Sequence, residues 1–266
     1  MKIIVAGSNT RNAEEKCIEN GLCKLYSILH EKKQIEAWND DHFLMVDSGA
    51  HSWNKVHHHV GMQSASKLKP AAEFIEYYFE FIKSNKDKKV VWVEFDVYDD
   101  LPMSVMDDFY DRVMALGISG KFIRVYHHYL DKEPGNYDTL HKWINQGQTY
   151  IGMGADNMDN FDDIFAITRD KIKLHGFALT RIPVIEKYPF WSVDSTSPLS
   201  TVIFGRYSRP ILSFNERDDI YKAKSIQCFD DDWVRLERAI IETKKAEDYI
   251  TSLWAIKGIV WEDLQY

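Results

Sequence analysis

Two stretches of the chain end an apolar run on the same pair of residues. Phe190-Trp191-Ser192-Val193 leads into Asp194-Ser195-Thr196-Ser197-Pro198, and His42-Phe43-Leu44-Met45-Val46 leads into Asp47-Ser48-Gly49-Ala50. A buried parallel strand that stops at a functional rim reads this way, apolar along its length with a charged group at its carboxyl end. Val90 to Phe95 runs into Asp96, and Phe122 to Tyr126 into His127-His128. Paired carboxylates can divide labour, one attacking as a nucleophile and the other exchanging protons. Substitution at an anomeric carbon through an oxocarbenium-like transition state uses that division. The glycines of Gly152-Met153-Gly154 and Gly176 are places where a flat ring can approach backbone N–H and C=O groups.

Plainer readings stand beside these. Asp194 can cap the turn that Ser195 to Pro198 would form, and Asp47 can be an N-cap. Asp96, with Asp99 and Asp100 close behind, can belong to a solvated acidic loop. His51, His57, His58 and His59 invite a metal reading, but they fall in a polar stretch with no fixed carboxylate or cysteine partner. Trp53, Tyr126 and Phe177 can stack on a base or simply pack in a core. No expected strand end carries a lysine suited to a Schiff base, and no HxH pattern sets two ligands on one strand.

Positioning these groups requires a particular scaffold. Apolar runs predict strands at 2–6, 43–46, 90–96, 122–126, 149–154, 172–178, 190–194 and 201–207. Helical spacing predicts helices over 13–30, from Pro70 through Ile82, and over 104–116, 137–145, 161–168, 182–187 and 233–254, with 51–69 a long polar loop. Eight strands that mostly alternate with helices imply parallel pairing through right-handed crossovers. The expected fold is a single α/β domain over residues 1–266, a (β/α)8 TIM-type barrel with a long C-terminal helix. An open doubly wound sheet is the rival, and the absence of GxGxxG after the first strand counts against it.

Bulk properties narrow the function. The 266 residues are 45% hydrophobic, 28% charged and 14% aromatic, an ordinary globular composition. A net charge of -8 removes any global basic signature, although a local patch can still hold phosphates. Lys67, Lys69, Arg181, Ser195, Arg206 and Arg209 are the candidate nucleic-acid contacts, with a solvated face as the alternative. Cys17, Cys23 and Cys228 form no CxxC pair and read as reduced thiols of a cytoplasmic protein. The first residues read as a strand, not a signal peptide, and no apolar run approaches the ~18 residues of a membrane span.

The motifs Val46-Asp47-Ser48-Gly49-Ala50, Tyr150-Ile151-Gly152-Met153-Gly154, His175-Gly176-Phe177-Ala178 and Ser192-Val193-Asp194-Ser195 resemble the tRNA-guanine transglycosylase superfamily. The likeness is greatest to its shorter phage members, which place 7-deazaguanines in DNA, and it covers roughly residues 43–197. The resemblance implies that Asp47 is the general acid/base, beside Ser48 and Gly49, and that Asp194 is the nucleophile on ribose C1′. It implies that Asp96 binds the base edge, that Gly152, Met153 and Gly154 present backbone to the base, and that Gly176 and Phe177 line the same place. His127 falls near a family glutamine that reads the purine, and Ala50 replaces a second glycine. The family's tRNA enzymes carry a C-terminal CxCxxC-plus-His zinc site, which nothing here can form. That departure favours DNA over tRNA as the nucleic-acid partner. The implied reaction swaps guanine for a free 7-deazaguanine base such as 7-cyano-7-deazaguanine. It needs neither metal nor cofactor, and a phage-encoded member would work in the host cytoplasm. A homodimer or a helper protein is left open. The rivals are a transglycosylase of the same fold that acts on tRNA, a metal-dependent (β/α)8 hydrolase, and a nucleic-acid binding subunit without activity.

Overall fold

Four- and five-residue apolar runs become strands here, and longer amphipathic stretches cover them. A computed structural model describes residues 1–7, 11–38, 42–58, 69–169, 172–196 and 232–262. Its elements are β1 (Lys2–Ala6), α1 (Arg11–Glu19), β2 (Cys23–Ser27), α2 (Ile28–Ala37), β3 (Leu44–Asp47), α3 (Ala50–His58), α4 (Ala71–Ser84), β4 (Val90–Val93) and α5 (Met103–Met114). They continue with β5 (Phe122–Tyr126), α6 (Asp138–Asn145), β6 (Tyr150–Met153), α7 (Phe161–Thr168), β7 (Lys173–Gly176), α8 (Ile182–Lys187), β8 (Ser192–Ser195) and α9 (Asp232–Ile256). The strands follow chain order and the sheet closes, with β8 paired to β1 in parallel. This is the α/β barrel of the TIM type, with a 25-residue C-terminal helix, α9.

The described residues form two units, one of Met1–Leu25 with residues 126–262, the other of Tyr26–Val125. In the first, Val5 packs with Ala13, Cys17 and Leu22 and with Leu236 and Ile240, so α1 and α9 cover one face of β1. Adjacent strand residues alternate faces, which puts Ile4 on the other side. Ile4 pairs with Asp194, Gly152 with His175, and His175 with Ser192. Residues in register share a face, so Gly152, His175, Ser192 and Asp194 all lie on the face opposite Val5. Helix α9 is tied down by Glu247, which accepts the Ile3 N–H at 2.6 Å, and by Trp254, whose indole N–H reaches Ile185 O at 2.9 Å.

In the second unit Trp92 meets Phe81 of α4 edge-on, and Phe122 packs on Phe109 and Tyr110 of α5. Fully burying such a side chain contributes about 1.5–3 kcal/mol. Val46 pairs with Trp92 and shares its helix-facing side, so Met45 and Asp47 take the opposite one.

Three expectations change. Residues 13–30 are not one helix: α1 ends at Glu19, and Cys23–Ser27 is β2. The strand was hidden by Lys24, its second residue, which is fully buried with Nζ 2.5 Å from Gly7 O. The stretch 51–69 is not all loop, because Ala50–His58 is α3; residues 59–68, which include His59 and Lys67, lie outside the described residues. The expected eighth strand at 201–207 also lies outside them, and the sheet closes without it.

Candidate active site

Asp194 sits one residue before the carboxyl end of β8, with its side chain 11% exposed. Its Oδ1 accepts the Ala178 N–H at 2.9 Å. Ala178 lies just beyond β7 with φ +55, a left-handed conformation that costs a non-glycine residue about 1–2 kcal/mol. The turn after β7 thereby aims an amide at a carboxylate on the neighbouring strand. His175, fully buried, lies 3.3 Å from the same oxygen through Nε2, at an angle that leaves the nitrogen without an aligned acceptor. Its Nδ1 is 2.7 Å from Ser192 Oγ, and Ser192 Oγ is 2.5 Å from Tyr150 Oη. Phe177 meets the His175 ring edge-on, with centroids 4.4 Å apart. The result is a buried file, Tyr150–Ser192–His175, that ends on Asp194. Alternation and register explain the assembly, because all four side chains come from one face of β6, β7 and β8.

The glycines nearby have separate reasons. A Cβ on Gly176 would fall about 3.0–3.1 Å from Leu179 and Phe190, so this glycine admits close packing. A Cβ on Gly154 would lie 2.7 Å from Asp156 Oδ1. The bare backbone there lets Asp156 fold back, and its Oδ2 meets His127 Nδ1 at 2.8 Å. Buried Asn157 fixes the backbone on both sides of His127, accepting from the His128 N–H at 2.8 Å and donating to Tyr126 O at 3.0 Å. Gly152 and Met153 are buried within β6. Ser195 is 6% exposed and in register with Val5, on the face that the helices cover.

In the second unit, Asp47 ends β3 and its Oδ2 accepts the Gly49 N–H at 3.0 Å. Ser48 is fully buried and donates to Glu94 O at 2.8 Å. Gly49 has φ +84, and a Cβ there would strike Leu29 at 2.6 Å. Asp96 lies three residues past β4 and is half-buried. Close by is an arrangement the strand pattern did not reveal. Glu94 and Arg124, both with fully buried side chains, pair at 3.1 Å, and Arg124 also reaches Asp107 of α5 at 3.1 Å. Glu94 further accepts the Val125 N–H at 3.0 Å and the Tyr98 hydroxyl at 2.7 Å. Burial pushes the Glu94 carboxyl upward despite Arg124, and holds the Tyr98 hydroxyl well above its usual range. Burial does the same to the Tyr78 hydroxyl, with the charge of Asp47 adding to it.

Other expected site residues fall elsewhere. Lys69 is exposed and loosely paired with Glu73 at 3.9 Å, and Arg181 is exposed ahead of α8. Lys67, Arg206 and Arg209 lie outside the described residues. Trp53 is buried, stacked on His57 at 3.7 Å, and His57 Nδ1 lies 3.0 Å from Trp53 O, so that histidine packs along its own helix. Tyr126 is buried against Trp143, with its hydroxyl on Asp131 at 2.6 Å. Cys17 and Cys23 are both buried. Among the described residues, no three His, Cys, Asp or Glu side chains cluster to hold a metal, and no helix is long and apolar enough to cross a membrane.

His175, Ser192, Ala178 and Asp156 were not assigned roles from sequence. The signal for two of them was present: Ser192 precedes Asp194 by two and so shares its face, and His175 lies in a motif already singled out. Compared with protein-family models, curated proteins and solved structures, the chain matches none.

Proposed function

We propose that the chain is a base-exchange glycosyltransferase that replaces guanine in DNA with a 7-deazaguanine, such as 7-cyano-7-deazaguanine, through a covalent aspartyl-glycosyl intermediate. The seat of Asp194 carries the reading. A carboxylate at the carboxyl end of a barrel strand, with one oxygen held by a backbone amide, is pre-oriented for attack, as a nucleophile must be. In the first half-reaction Asp194 bonds to C1′ and the bond from C1′ to the guanine nitrogen breaks. The departing base takes the bonding pair and receives a proton from Asp47. In the second, the free 7-deazaguanine gives a proton to Asp47, its ring nitrogen bonds to C1′, and the electron pair of the ester bond returns to Asp194.

Asp96 and His127 are the groups assigned to the base edge, and Asp156 sets the orientation of the His127 ring. Of the candidate phosphate contacts, Lys69 and Arg181 are among the described residues, and both are exposed. A base within a duplex must be flipped out or presented in a single strand for this chemistry. The deciding experiment traps a covalent adduct between the protein and guanine-containing DNA on a denaturing gel. The adduct should form with the wild type and vanish with Asp194→Asn. An unchanged adduct in the variant would move the nucleophile elsewhere. Labelled guanine offered with DNA and with tRNA should enter the DNA.

A further inference from the structure

We infer that His175 is a positioning residue that keeps Asp194 Oδ1 out of the bond-forming role and speeds release of the sugar from Asp194. The inference rests on Asp194 being the nucleophile. Both donors near the carboxylate face Oδ1: the Ala178 N–H at 2.9 Å and His175 Nε2 at 3.3 Å. Oδ2 is therefore the oxygen left to attack C1′.

The file behind His175 decides which ring nitrogen carries the proton. Asp194 as a carboxylate can only accept, so the nitrogen facing it must be the donor. Nδ1 then accepts from Ser192 Oγ–H, and Ser192 Oγ accepts from Tyr150 Oη–H. In a fully buried site this is the arrangement that gives each group a partner it can use. Nε2–H is the one group in this file not yet aligned, and a buried donor left without an acceptor is unfavourable. A small rotation of the carboxylate about its Cβ–Cγ bond would engage it.

That donor favours one half of the reaction. A carboxylate accepts hydrogen bonds more strongly than an ester carbonyl does. When Oδ2 is bonded to C1′, Oδ1 is the ester carbonyl. When that bond breaks, the electron pair returns to the carboxylate and is shared by Oδ1. Donors on Oδ1 thus stabilise the leaving carboxylate and do nothing to help the attack. Removing the donor should make the glycosyl-enzyme accumulate.

The test uses full-length protein and labelled guanine-containing DNA, and reads two rates on denaturing gels. One is adduct formation without free base; the other is adduct decay after excess guanine is added. His175→Asn, which cannot place a donor at the Nε2 position, should slow decay by about 100-fold, the lower end of what loss of a donor to developing negative charge costs elsewhere. Formation should stay within about threefold of wild type, so the fraction of protein in adduct rises while turnover falls. His175→Gln, whose amide can reach the Nε2 position, should restore decay to within about threefold. Ser192→Ala and Tyr150→Phe, smaller changes less apt to unfold the protein, should slow decay in the same direction by a lesser factor. Equal slowing of both rates, or His175→Gln behaving like His175→Asn, would overturn the role of His175 and leave the base exchange standing. The absence of an Asp194-dependent adduct in the wild type would remove the exchange reading itself, and this inference with it.

Discussion

Asp194 and Asp47 lie at or next to the carboxyl ends of their strands in the same local sequence, an apolar run followed by Asp-Ser, and the protein treats them differently. At β8 the acid is held from a distance in the chain: Ala178 is 16 residues away, and His175 comes from the neighbouring strand. At β3 the acid accepts from Gly49, two residues on, as turn-forming aspartates do. The serines differ as well. Ser48 is anchored to Glu94 O, whereas Ser195 lies on the face that the helices cover. An Asp-Ser pair after an apolar run therefore marks a strand end; the partner across the sheet decides what the acid can do.

The most severe way to break this comparison is to neutralise both acids in turn. On the proposed mechanism, Asp194→Asn should lower exchange by about 10³-fold or more and abolish the trapped adduct, because it removes the attacking atom. Asp47→Asn should slow adduct formation by about 10²- to 10⁴-fold without eliminating it, the range for loss of a positioned acid. Equal effects on the adduct would mean that the two carboxylates do not divide the work.

The next test separates chemistry from architecture. Arg124→Met leaves Glu94 buried without its partner, and should destabilise the protein by about 3–5 kcal/mol in chemical denaturation. Pairing it with Glu94→Gln should recover part of the loss. A change of less than about 1 kcal/mol would show that the network of Glu94, Arg124 and Asp107 is dispensable to the fold.

Gly49→Ala sharpens the contrast at β3. The new methyl combines a positive φ with a collision against Leu29, so a loss of about 1–3 kcal/mol is expected in thermal or chemical unfolding. The smallest effect belongs to the surface. Arg112 binds Glu76 through two short contacts, 2.6 and 2.8 Å, and lowers the Glu76 carboxyl below its usual range. A lowered carboxyl contributes stability above its unfolded pKa, which is lost as pH falls through the folded value. Glu76→Gln should therefore cost no more than about 1 kcal/mol near neutrality and nothing in strong acid, and the difference should shrink in high salt. A difference that persists in strong acid would point to packing on Phe79, over whose ring Arg112 lies at 4.1 Å.

Much of the barrel was legible because its strands are apolar runs that stop on polar residues. Helices α7 and α8 match their expected bounds, and α9 matches within two residues at either end. What escaped was held by pairing across the sheet. In β2, Lys24 breaks the apolar pattern, and its burial makes sense only once Gly7 O is seen to accept from it. The file from Tyr150 to Asp194 depends on the register of three strands, which no local window contains. Glu94 and Arg124 read as surface charges by type, and only their mutual contact makes them interior. Helix α3 was concealed by the polar residues and histidines around Trp53.

Ala178 has one more consequence. Its backbone holds a torsion that a side chain resists, and that torsion points the amide at Asp194. The aim of the carboxylate is thus settled when the chain folds. Ala178→Gly would relieve the turn and loosen the aim together, and on the proposed mechanism it would trade a sturdier protein for a slower one.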